Sequence, residues 1–180
     1  MRRLSVLVVS ATITLLAVQL VMAQERAETI MVGGDVLKPG PWGIEDLKRQ
    51  FSKDVRTVTF TPGTDKPQQT GTGIPLLALI QAAGPKTEKA PKHYDLTFLV
   101  ILEARDSYRV FFSLAELLPQ CGNAQVWLVW DSNGKPLPDP EAPLRLVVSS
   151  DQGHDRYVYG IKTVTLVDGN KLAIRLAGGK

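Results

Sequence analysis

Few residues in this chain can do chemistry, and they are scattered. Its one cysteine is Cys121, and its two histidines are His93 and His154. A single cysteine makes no internal disulfide and no cysteine-rich metal site. Unpaired cysteine usually behaves as a small buried hydrophobe, so Cys121 is expected in the core. A reactive thiol, or a link to another chain, are the alternatives. The densest polar cluster is Asp151-Gln152-Gly153-His154-Asp155. Two carboxylates and an imidazole can bind a divalent cation or move protons. With His93 far away in a charged connector, a polar turn is the favoured reading. No Gly-x-Ser-x-Gly elbow, HExxH pair or phosphate loop occurs. Trp42 is expected in the core or at its rim. Trp127 and Trp130 lie three apart on one strand, so they face opposite ways, and one of them is a candidate for a binding surface.

The elements that must position these residues are short. Ile30 to Val36 reads as a strand with a bend at Gly33-Gly34, followed by a turn at Lys38-Pro39-Gly40-Pro41. Ile44 to Phe51 fits a helix with Ile44, Leu47 and Phe51 on one side. Val55 to Thr61 alternates as a half-buried strand. Pro62 to Gly73 reads as a polar loop, and Ile74 to Ala83 as a helix stopped by Gly84-Pro85. Lys86 to Lys92 is a charged connector. Leu96–Ala104 and Tyr108–Phe112 form a predicted hairpin around Arg105-Asp106-Ser107. Ser113 is placed to cap a short helix, Leu114 to Leu118, with Glu116 at its third position. Val126–Trp130, Leu144–Ser149, Tyr157–Val167 and Lys171–Leu176 read as further strands, with turns at Asp131–Lys135 and Asp168–Asn170. About eight strands and three short helices, not alternating, exclude a doubly wound parallel sheet. They predict an α+β, β-rich, mostly antiparallel mixed fold.

The N-terminus bears on compartment. Met1-Arg2-Arg3 is positive, Leu4 to Met22 carries no charge, and Val21-x-Ala23 supplies small residues before Gln24. That is a secretory signal pattern over residues 1–23, with 24–180 as a single mature domain. An uncleaved membrane anchor is the alternative reading. Cleavage near Ala23 implies a periplasmic or secreted protein. The paired arginines lack the longer polar lead of twin-arginine export, so threading in the unfolded state is expected. The precursor's net charge is +3. Residues 1–23 hold two of its 21 basic residues and none of its 18 acidic ones, so the mature chain has a net charge of only +1. With no basic run, nucleic acid is not an expected partner.

Taken in order, several stretches resemble one family. They are Val32-Gly33-Gly34-Asp35-Val36 with Pro39-Gly40; Gly71-Thr72-Gly73-Ile74-Pro75-Leu76-Leu77 running to Ala83-Gly84; and Tyr108 to Leu117. After these come Asn133-Gly134-Lys135-Pro136-Leu137, Pro143 to Val148, and Asp155 to Leu166. This collinear set, roughly residues 30 to 168, is similar to the molybdopterin-binding domain of the sulfite oxidase family. The resemblance implies an α+β fold with a large mixed sheet and a molybdopterin (molybdenum cofactor) site. It implies cofactor contacts at Thr61, Gly63, Arg109, Arg145, His154 and Arg156. Arginine suits a phosphate through its planar fork of donors.

The departures point the other way. The family's enzymes hold molybdenum through a cysteine in a Cys-x-Gly-Asn loop. Here that loop reads Thr61-Pro62-Gly63-Thr64. A neutral hydroxyl is a poor replacement for a soft thiolate. Cys121-Gly122-Asn123 comes two elements too late to supply it. Two functions follow: an exported molybdopterin-dependent oxidoreductase domain, or a cofactor-free periplasmic binding, accessory or sensing module on the same fold. A bare pterin- or anion-binding protein is a third. The partners to expect are a small anionic ligand or pterin, and a periplasmic or membrane protein.

Overall fold

The computed structural model describes residues 29–87 and 92–178. The signal segment expected over residues 1–23 lies outside the described residues, as does part of the 86–92 connector. No helix among the described residues is long and apolar enough to cross a membrane.

One sheet is built on strict alternation. Strand β1 (Thr29–Gly34) and strand β2 (Gly40–Gly43) form an antiparallel pair. Strands β5 (Phe98–Ala104) and β6 (Arg109–Ser113) form the expected hairpin. Strand β11 (Ile161–Asp168) lies between the two pairs, antiparallel to β5 and parallel to β1, giving the order β2-β1-β11-β5-β6. Every second residue is buried: Ile30 and Val32, Phe98 to Ala104 by twos, Val110 and Phe112, Val164 and Leu166. The opposite faces carry Met31, Glu103, Arg109 and Phe111, as the two-residue period requires.

The second sheet is antiparallel. Its strands are β3 (Arg56–Phe60), β4 (Gln69–Pro75), β7 (Val126–Val129) and β10 (Arg145–Val148), in the order β10-β7-β4-β3. All four residues of β10 are buried, so this strand is covered on both faces. A two-residue ribbon, β8 (Asp131–Ser132) and β9 (Lys135–Pro136), turns at Asn133-Gly134. Both turn residues have positive φ, the conformation of tight hairpins. Helices α1 (Ile44–Gln50) and α2 (Leu76–Ala83) insert Leu47 and Leu76, Leu79, Ile80 and Ala83 into the shared core. Helix α3 (Leu114–Leu117) is capped as the sequence predicts: the Ser113 hydroxyl accepts from the Glu116 amide at 3.1 Å.

Several elements differ from the sequence reading. Residues 171–176 form no strand; they belong to helix α4 (Gly169–Gly178). The alternation Leu172, Ile174, Leu176 mimics a strand, but the residue types are mostly good helix formers. The Asp168 carboxylate also starts the helix by accepting from the Asn170 amide at 3.0 Å. The long strand predicted from Tyr157 begins at Ile161, because Gly160 takes φ +62° and interrupts it. The predicted 62–73 loop ends at Gln68, just before β4 starts at Gln69, and Ile74-Pro75 close β4 before α2 begins. The turn after Lys38 contains the short strand β2. Cys121 is exposed, not buried: it stands on the turn after α3, where its amide bonds Leu118.

A polar cluster fastens α4 to the first sheet. Tyr94 donates to buried Asp168 at 2.6 Å, Lys171 pairs with Asp35 at 2.5 Å, and the Asp168 amide donates to Asp35 at 3.0 Å. The Lys171 hydrogen bond, followed by the Asp168 amide, holds the Asp35 carboxyl below its usual value. A depressed carboxyl adds stability at neutral pH that is lost as the pH falls through the folded-state value. Asp35→Asn should therefore lower the urea midpoint at pH 6, and its difference from wild type should shrink as the pH falls through the depressed folded-state value. Lys171 is more than half exposed, so solvent screens the pair and the effect should be small.

Candidate functional site

The second sheet curls until its two edges approach. On one side Phe60 ends β3; on the other, β10 has only the single bridge Leu146–Val158 beyond it. The Phe60 and Tyr157 rings meet edge to face with centroids 6.0 Å apart, and the Tyr159 hydroxyl donates to the Pro62 carbonyl at 3.1 Å. Between these edges lies a cleft of about 620 Å³. The loop after β3 supplies Thr61, Gly63, Thr64 and Gln68, and the loop after β10 supplies Ser149 and Asp151 to Asp155. Phe60 and Tyr157, both buried, contribute its apolar part. Burial pushes the Tyr157 phenol above its usual pKa, so it stays a neutral hydroxyl. The His154 ring stands edge-on to Tyr157 at 6.5 Å.

Of the predicted site residues, Thr61, Gly63 and His154 meet in this cleft. The three arginines do not line it. Arg156 lies behind one wall and clamps Asp151 with two parallel bonds, 2.7 Å from Nε and 2.5 Å from Nη2. Its Nη1 reaches Glu116 at 2.7 Å, and its guanidinium covers the Phe112 ring at 4.7 Å. The Asp151 hydrogen bonds, then Glu116, raise its already high pKa. Arg145 is 3% exposed. It pairs with Glu141 and sits against the rings of Phe60 (5.2 Å) and Tyr159 (4.8 Å). Its Nε and Nη1 are buried with no hydrogen-bond partner among the described residues. Desolvation pulls its pKa down. Arg109 stands on the outer face of the first sheet, paired with Glu103 at 2.6 Å.

Sequence reasoning missed Glu141, Tyr159 and Tyr108. The last donates to the Asp155 carbonyl at 2.5 Å and so props the cleft loop. One signal was present: Arg145 interrupts the apolar run Leu144 to Val148, and a charge in a buried strand demands a partner. Nothing in the sequence says which.

No family model matches the chain, and no curated protein matches it. A solved structure, the sulfane dehydrogenase SoxCD from Paracoccus pantotrophus, is similar: 22% identical, TM-score 0.58, with 80% of this chain aligned. The match covers 39% of that chain, so this protein spans well under half of its structural neighbour. At that identity the likeness is one of fold, and it agrees with the α+β, β-rich architecture expected from the sequence.

The residues present can be tested against a molybdenum–pterin group. Among the described residues, no three His, Cys, Asp or Glu side chains gather as metal ligands. Thr61 is the side chain at the expected ligand position, and Cys121 does not line the cleft. No lysine or arginine lines it either, and each candidate arginine is already paired with a carboxylate. Free N–H groups on Arg145 do not change this, since that side chain does not line the cleft and lies against the Phe60 and Tyr159 rings. The donor set does not suit a soft-ligated metal or an anionic phosphate.

Proposed function

We propose that this chain is an exported, periplasmic or secreted binding module that uses the sulfite oxidase-type fold without its cofactor. The observation that carries the reading is the chemistry of the cleft. It combines hydroxyls, amides, one imidazole and two carboxylates, with no thiolate and no cation. A pocket of this size is ordinary for a small polar ligand. Its formal charge leans negative, which favours neutral or cationic ligands over the anionic pterin phosphate. The leader over residues 1–23 supports export. The fold likeness favours a second reading, an oxidoreductase domain that binds molybdopterin through an unusual ligand set.

Metal content separates the two. The protein should be exported by its own signal in a host that makes the cofactor, then assayed for molybdenum by mass spectrometry and for pterin by fluorescence. Folded protein with far less than one metal per chain is expected; stoichiometric metal and pterin would establish the second reading. Thr61→Cys should also stay metal-free, because one thiolate brings neither the remaining donors nor the cations for the phosphate. Stoichiometric molybdenum in that variant would show that the rest of the pocket survives.

A further inference from the structure

The unpaired edge of β3 runs into the cleft, and its backbone polarity can be worked out. Thr70 and Thr72 of β4 turn away from β3. Their amides donate to Asn133 Oδ1 (2.9 Å) and Asp131 Oδ1 (3.0 Å), and their carbonyls accept from the amides of Asn133 (2.8 Å) and Trp130 (3.0 Å). Antiparallel backbone groups alternate in direction. Gln69, Gly71 and Gly73 therefore face β3, opposite Phe60, Val58 and Arg56. It follows that Thr57 and Thr59 point their N–H and C=O groups outward. No described strand pairs with that edge. Thr57-Val58-Thr59 also lacks the lysine, proline or bulge that usually protects an edge from strand addition.

Thr59, Phe60 and Thr61 line the cleft, so a strand laid along β3 continues into it. Of the two cleft carboxylates, Asp151 is neutralised by Arg156, while Asp155 is exposed and has no ion pair among the described residues. From these two observations we infer that the cleft's ligand is an extended peptide segment. It adds as a strand beside β3 through the backbone of Thr57 and Thr59 and seats a lysine or arginine side chain near Asp155. Main-chain bonds give such a complex its affinity, and the pocket gives it selectivity. This inference rests on reading the cleft as a cofactor-free ligand site.

The probe is a displayed library of random 12-residue peptides, panned on the exported protein. Enriched peptides are synthesised and titrated by fluorescence anisotropy against wild type, Thr59→Pro and Asp155→Asn. Proline removes only an outward N–H at an edge position, so pairing with β4 is kept. The same peptides with alternate backbone amides N-methylated give a second test that needs no protein variant. Expected are β-branched peptides with at least one basic residue. Their affinity should fall about tenfold with Thr59→Pro or N-methylation, the loss of one or two backbone bonds, and about threefold or more with Asp155→Asn. No enrichment, acidic peptides, or indifference to N-methylation would overturn the inference. So would a concentration-dependent dimer that Thr59→Pro abolishes, since the edge would then serve a second copy of the chain. Metal-free protein that enriches no peptide would sink this inference alone. Stoichiometric molybdenum would remove the binding-module reading on independent grounds.

Discussion

Removing the Glu141 carboxylate is expected to destabilise the protein more than removing the arginine it serves. Arg145 is buried, and Glu141 is its one counter-charge among the described residues. Glu141→Ala leaves a cation in a low-dielectric site with three nitrogens to satisfy and two aromatic faces to help. Breaking a buried pair from one side costs about 3–5 kcal/mol. Glu141 is itself about a quarter exposed, so water reaches the site and the lower end, about 3 kcal/mol, is expected. Arg145→Met removes the charge along with the need for a partner and keeps an unbranched side chain between Phe60 and Tyr159. Its cost should be nearer 1 kcal/mol. Adding Arg145→Met to Glu141→Ala should recover most of the loss, a coupling that urea denaturation of the full mutant cycle would reveal. Simple additivity of the two single changes would show that the pair is not a unit.

The second large effect is at Gly73. A Cβ built there would overlap the Leu128 carbonyl, lying 2.8 Å from its carbon and from the Val129 Cα. These are backbone atoms of β7 in register with β4, so no side chain can swing aside. Gly73→Ala must push the two strands apart and break the centre of the curled sheet. A loss of about 3 kcal/mol or more is expected, beyond ordinary overpacking because the obstacle is main chain. Gly33 supplies the control. Its Cβ would meet nothing within 4 Å, so Gly33→Ala should shift the urea midpoint little, within about 0.5 kcal/mol. If both variants unfold alike, or neither does, close strand approach is not what demands glycine at 73.

The contrast between these glycines shows what was legible from residues alone. Gly33-Gly34 and Gly71-Thr72-Gly73 look like equivalent turn signals in sequence. Gly34 is one, with φ +82° beside the Leu166 carbonyl. Gly73 instead sits mid-strand, where its lack of a side chain admits a neighbouring backbone, and no local pattern distinguishes the two. Elements with strong local signals were readable: the β5–β6 hairpin and the Ser113 cap. Helix α4 was not, because six residues fit either period and the Lys171–Asp35 pair that fastens it is tertiary. For the candidate site, the sequence placed Thr61, Gly63 and His154 on loops that do converge. It did not show that each arginine would pair with a carboxylate, since Glu103, Glu116, Glu141 and Asp151 become partners only through the fold.

The place of β11 has a consequence for how the chain assembles. β1 pairs Met31 with Thr163, and β5 pairs Leu102 with Val164, so the strand that joins the two hairpin units of the first sheet is the last strand of the chain. Contacts spanning more than a hundred residues close late and slowly, because the loop entropy is lost before they form. A chain emerging from its N-terminus, whether from a ribosome or through a membrane, can make β1–β2 and β5–β6 as separate ribbons. It cannot join them until residue 168 is free. Until then the apolar faces around Ile30, Val32, Phe98 and Phe112 lack their central strand, and aggregation competes with folding. A truncation just before β11 should therefore leave two unjoined halves, not a smaller version of the domain.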